Sequence, residues 1–130
     1  MPVDMTNFNR QMKAFEADIE ELGTQTLRKI ALDVDQDLVN NTPVDTGRAK
    51  GNWLVGVNSV KTAIVEKEDK SGSGAILEGA SEIKKAEFGD VIHITNNLPY
   101  INKLNDGSST QAPAGFVESA VERAVAPFRK

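Results

Sequence analysis

Apolar residues stand at Phe8, Met12, Phe15, Ile19 and Leu22, at gaps of 4, 3, 4 and 3, which is one stripe along a helix. Thr6 precedes the stripe as a candidate N-cap, its hydroxyl placed to accept from a free N–H of the first turn. Beyond Gly23 the apolar set becomes Leu27, Ile30, Val34 and Leu38. At 100° per residue this second stripe is turned by roughly 85° from the first. Glycine costs about 1 kcal/mol in a helix interior, so two arrangements fit: two helices broken near Gly23, or one continuous helix with two faces. A continuous helix from Phe8 to Asn41 is a rod of about 50 Å, set against a radius of gyration of about 14 Å for a domain of this size. Such a rod overhangs its own domain, and its surplus stripe needs a neighbour, most simply another copy.

Asn40-Asn41-Thr42-Pro43 stops the helix, because proline restricts the residue before it and donates no helical bond. Val44-Asp45-Thr46-Gly47 reads as a tight turn. Trp53 to Asn58 alternates with period two, placing Trp53, Val55 and Val57 on one strand face, and Val60 to Glu66 extends it or forms a second strand. Residues 66–74 are charged and then Gly/Ser-rich, which predicts a mobile loop. Ala75 to Ala86 is a short amphipathic helix with Ile76, Leu77, Ala80 and Ile83 inward. Val91 to Thr95 is a β-branched strand, Tyr100 to Leu104 a single helical turn, and Asn105 to Ser109 a polar loop. A last helix turns Phe116, Val117, Ala120, Val121, Ala124 and Phe128 to its apolar side, with Pro113 suited to its first turn. The fold class is α+β: a long N-terminal helix, a small mostly antiparallel sheet, a short middle helix and a C-terminal helix.

Composition narrows the function. A chain of 130 residues makes one domain, 1–130. With 39% apolar but only 5% aromatic residues, aliphatic side chains supply most of its burial. No apolar run is long enough for a membrane span, and Met1 to Met5 lacks the basic flank and apolar core of a secretory signal. The lack of cysteine removes disulfides, thiolate metal sites and cysteine nucleophiles, and a single histidine, His93, argues against a catalytic triad. Fifteen basic against nineteen acidic residues give a net charge of −4, a poor basis for gripping phosphates and a suitable one for a passage that DNA slides through.

Candidate chemistry is thin. Asp33-Val34-Asp35-Gln36-Asp37 opens like a calcium loop, but that loop needs glycine sixth and glutamate twelfth, where this chain has Leu38 and Val44. The apolar phase keeps the segment helical, with Asp33 and Asp37 on a solvated or partner-facing surface and Asp35 pointing elsewhere. His93 lies mid-strand as a half-buried structural residue, and no nucleophile stands near it in sequence. Gly72-Ser73-Gly74 and Gly47-Arg48 lack the lysine of a phosphate loop. Trp53 reads as a core anchor and Tyr100 as a structural phenol. No catalytic, cofactor or metal residue is assigned. A small metal- or nucleotide-dependent hydrolase would have to draw on the acids, and nothing selects a pair among them.

Thr42-Pro43-Val44-Asp45-Thr46-Gly47-Arg48 followed by Trp53 resembles the "TPVDTG…W" block of phage head–tail joining, tail-completion or minor tail protein Z-like proteins. Two further blocks are similar to that family's. One is the strand end Asn96 with Pro99 and Tyr100, then Leu104 to Gly107; the other is Gln111-Ala112-Pro113-Ala114-Gly115 opening the last helix. The span 61–89 departs from the pattern. The resemblance implies a non-enzymatic virion protein, assembled in the host cytoplasm, that forms a ring in the neck, usually a hexamer. Its implied partners are copies of itself, the tail tube or terminator protein and the head connector, with DNA passing through and no membrane involved. A tail-terminator ring is the alternative within the same assembly. In physical terms Pro43 and Gly47 reverse the chain, Trp53 ties the sheet to the long helix, and Gly115 lets the last helix start close to another backbone.

Overall fold

Glycine in the middle of a helix usually weakens it, yet the computed structural model, which describes residues 5–44, 47–107 and 112–129, carries the first helix straight through Gly23. This helix, α1 (Thr6–Asn41), has 36 residues and is about 54 Å long at 1.5 Å per residue. A close approach explains the glycine: a Cβ there would lie 2.2 Å from Cδ2 of Phe88. The Phe88 N–H donates to Thr24 Oγ1 at 2.8 Å, and Arg28 Nε donates to the Ala86 carbonyl at 2.8 Å, so residues 86–88 are clamped to the middle of the rod. Thr6 is the first helical residue and not the cap; Met5 holds the N-cap position, with no side-chain bond.

At the other end, Thr42 turns extended, with ψ of 130°. Its hydroxyl donates to the Leu38 carbonyl and accepts from Trp53 Nε1 at 2.7 Å. One threonine thus closes the helix and joins it to the sheet. Gly47 follows at φ +88°, with residues 69–70 passing so close that a Cβ would lie 2.4 Å from the Lys70 nitrogen. The sequence pattern gave no sign of the four-residue helix α2 (Arg48–Gly51) that comes next.

Strand β1 (Trp53–Val57) pairs antiparallel with β2 (Ile92–Asn96), setting Trp53 opposite Asn96 and Val55 opposite Ile94. The segment from Val60 to Glu66, expected as a strand, is not one. Side chains take its backbone groups in place of a ladder. Asn52 is fully buried; its Oδ1 accepts from the Val65 N–H at 2.8 Å and its Nδ2 donates to the Val65 carbonyl at 2.9 Å. The Lys61 carbonyl accepts from Thr95 Oγ1 and Asn97 Nδ2, which also reaches the Ala63 carbonyl.

Within residues 66–74, Asp69 organises the backbone. Its N–H donates to the Gly47 carbonyl, and its carboxylate accepts from the N–H groups of Gly72 and Ala75. Helix α3 (Ser73–Ile83) therefore starts two residues earlier than expected and stops three earlier. It buries Ala75, Gly79 and Ile83, one row at i+4 spacing. Leu77, expected inward, falls off that row and is 71% exposed. Helix α4 (Ile101–Asn105) is the expected single turn.

Helix α5 (Phe116–Val125) begins after Gly115, whose φ is +76°, and leads into a 3-10 turn, Ala126–Phe128. Pro113 lies before the helix, outside its first turn. The freedom Gly115 supplies is its positive φ, not room for a neighbour, since a Cβ there meets no atom closer than Glu118 Oε2 at 3.7 Å. Val121 and Phe128, expected on the buried side, are both more than two-fifths exposed. The main core lies between α1 and α5 around Leu38, Val39, Trp53 and Phe116, and a second cluster of Ala31, Val55 and Ile83 joins α1, β1 and α3. The class is α+β, with a sheet of two antiparallel strands.

Candidate interaction surface

Each motif block sends one residue to the core. Trp53 from the first block, Leu104 from the second and Ala112 from the third share one apolar cluster, completed by Phe116. Polar groups lock the joints between blocks. Asn96 Nδ2 donates to the Ala49 carbonyl at 2.9 Å, tying β2 to α2. The Asn105 carbonyl accepts from the Gly115 N–H at 2.6 Å, and its Oδ1 accepts from the Val117 N–H at 2.9 Å. Asn105 thereby satisfies donors that the start of α5 cannot satisfy itself. Its amide also donates to Glu118, which holds that carboxyl below its usual range. Gly107, at φ +90°, lies against Ala114. Arg48 pairs with Glu66 at 3.2 Å. Pro43 and Val44 are half-buried, and Pro99, Tyr100 and Pro113 lie at the surface. Asp45, Thr46 and Gln111 fall outside the described residues. Among the described residues, these contacts join the blocks to the core and to one another.

The aspartates at 33, 35 and 37 of α1 divide three ways. Asp33 pairs with Lys29 at 3.0 Å on the surface. Asp37 accepts two bonds from Arg123, at 2.8 and 2.9 Å, joining α1 to α5. Asp35 is buried in the seam between α1 and α3, and neither carboxylate oxygen has a hydrogen-bond partner. Gly79 faces it so closely that a Cβ would lie 2.3 Å from Oδ2 and 3.2 Å from Val55 Cγ2. Burial pushes the Asp35 carboxyl up to about 7. The sequence carried a signal for this placement. Asp35 stands four residues after Ala31 and four before Val39, both buried.

His93 is half-buried in β2 opposite Gly56. Among the described residues, no three of His, Asp and Glu come together as a metal site, and no helix is long and apolar enough to cross a membrane.

Among the described residues, two extended apolar surfaces are uncovered. The first is the stripe Phe8, Met12, Phe15, Ile19 and Leu22, whose residues are 41–65% exposed. Every described residue from Met5 to Leu22 is exposed, so this half of α1 touches little of the body. The second is a groove of about 310 Å³ between α1, β2 and α5, floored by Ile30, Val34, Trp53 and Ile94 and walled by Val117 and Val121. A shallower hollow by Phe88, sharing Leu27 and Ile30 with the groove, continues it toward Ile19 and Leu22. Unbroken, α1 keeps its two apolar faces at the roughly 85° that their spacing sets.

Comparison with known protein families, with curated proteins and with solved structures gives no match for this chain.

Proposed function

We propose that this chain is a structural, non-enzymatic virion protein of a tailed phage, forming a ring in the neck that completes the tail and joins it to the DNA-filled head. The observation that carries the reading is the free half of α1, which projects an apolar stripe, each residue at least two-fifths exposed, beyond the body that anchors the other half. Contiguous exposed apolar surface on this scale marks a contact site. A closed ring requires two different contact faces on each subunit, and the stripe and the groove are two such faces. The resemblance of the Thr42–Arg48 block, Trp53, and the Asn96–Gly107 and Gln111–Gly115 segments to tail-completion proteins gives the assembly its place. The net charge of −4 suits a ring around DNA in transit.

In this reading the partners are further copies of the chain, the tail tube or terminator protein and the head connector. Electron microscopy of particles from a phage lacking the gene tests it. Filled heads beside separate tails are the expected result; joined particles with intact necks would overturn it. Labelled subunits in wild-type particles distinguish the neck from the tail-terminator position.

A further inference from the structure

We infer that the stripe on the free half of α1 seats in the α1–β2–α5 groove of a second copy, making a head-to-tail contact that repeats around the assembly. This deepens the ring reading above by naming the two surfaces that meet. The stripe and the groove are complementary in chemistry: five aliphatic or aromatic side chains on one, and a predominantly apolar wall on the other. They also match in length. Phe8 to Leu22 spans about 21 Å, and the groove follows α1 from Leu27 to Leu38, about 17 Å, with α5 as its far wall. An amphipathic helix docks in such a groove through anchors at i, i+4, i+7 and i+11, the spacing of this stripe.

Neither surface can reach the other within one chain. Both are built on the same unbroken rod, the stripe ending at Leu22 and the groove beginning at Leu27. A second copy supplies what the first cannot.

The area agrees with a repeating contact better than with an isolated pair. At about 200 Å² per large side chain, five that are half exposed offer roughly 500 Å², and a matching groove brings the total near 1,000 Å². That lies just under the ~1,200 Å² at which stable pairwise interfaces begin. In a closed ring each subunit makes the contact twice, so the buried area per subunit doubles relative to a single pair.

The cysteine-free sequence makes the test direct. Phe15→Cys marks the stripe and Val121→Cys the groove, both at exposed positions, and a short bismaleimide joins thiols brought close at high protein concentration. The doubly substituted protein is expected to give a ladder of dimers, trimers and larger species. The two single variants, mixed, are expected to stop at dimers, and each alone is expected to stay monomeric. Adding Ile19→Lys to the double variant should lower the ladder by about tenfold or more without changing the urea midpoint. Cross-linked dimers of Phe15→Cys alone would show stripe meeting stripe, and a mixture without dimers would show no such contact; either overturns the inference. Separate heads and tails in the gene-deleted phage with no ladder would leave the neck reading standing and remove this contact. A ladder with intact necks would do the reverse.

Discussion

The two halves of α1 share one backbone and have opposite relations to water. From Gly23 to Asn41 the helix is held on three sides, by the turn at Phe88, by α3 and by α5. From Thr6 to Leu22 every residue is exposed, and only its last turns come near the rest of the body, beside Phe88. The difference is not in the amount of apolar sequence, since each half has a regular stripe. It lies in which stripe the other described elements pack against. The anchored half makes the fold, and the free half offers surface. A buried carboxyl such as Asp35 can exist only in the first, where the surrounding core outweighs its cost.

The largest expected effect tests that cost. The Asp35 carboxyl is raised to about 7, above its value in the unfolded chain. Below about pH 4 both states hold the proton, and Asp35 contributes no pH dependence. As pH rises from about 4 to 7 the unfolded chain releases its proton first, so stability falls, and above 7 the loss levels off at about 4 kcal/mol. Asp35→Asn is expected to recover much of that at pH 8 and to flatten the slope in urea unfolding. A slope unchanged in the variant would mean that Asp35 is not its source.

Matched truncations in the two halves come next. Leu38 is 3% exposed and Leu22 is 65% exposed. Leu38→Ala should destabilise by about 3 kcal/mol, and Leu22→Ala should stay within about 0.5 kcal/mol for the dilute monomer. Equal losses in denaturant midpoints would erase the distinction between the halves. Gly79→Ala is expected to cost about 1–3 kcal/mol, because the new methyl meets both Asp35 and Val55 and α3 must shift. If the loss is smaller in the Asp35→Ala background, the carboxyl is the obstacle.

The smallest effect lies at the boundary. Gly23→Ala alone should be nearly neutral, the gain in helix propensity being offset by displacement of the Phe88 ring. In a Phe88→Ala background the same change should stabilise by up to about 1 kcal/mol. Identical effects in both backgrounds would show that Phe88 does not set the need for glycine.

Much of this fold was legible in the alternation of residues. The two stripes of α1, the strands at Trp53 and Ile92 and the row on α5 were readable because periodicity reports which face is covered. Other features run against the simplest reading of the pattern. Gly23 fits a break and a continuous helix equally well in sequence, because what requires a glycine there is Phe88, 65 residues away. Val60 to Glu66 looked like a strand because nothing local reveals that Asn52, Thr95 and Asn97 take its backbone groups. Asp35 shares a row with Ala31 and Val39, but an acid in an apolar row usually signals solvent. Leu77 reads as inward by its apolar character, while its phase sets it off the row of Ala75, Gly79 and Ile83. The motif blocks were legible as fold-builders, and the core they share agrees with that role. The groove arises from the meeting of α1, β2 and α5, so no single segment of sequence encodes it.

The unbroken passage through Gly23 bears on how the free half can be captured. Starting a helix is its costly step, because several residues must be fixed before the first hydrogen bond forms, whereas extending it fixes one residue for each bond gained. Here the anchored half supplies the nucleus, and the free half grows from it by extension alone. A partner arriving at Phe8 to Leu22 therefore meets a template already wound. It avoids much of the roughly 1–2 kcal/mol per residue that ordering a loose peptide would cost, so a modest apolar contact can hold it.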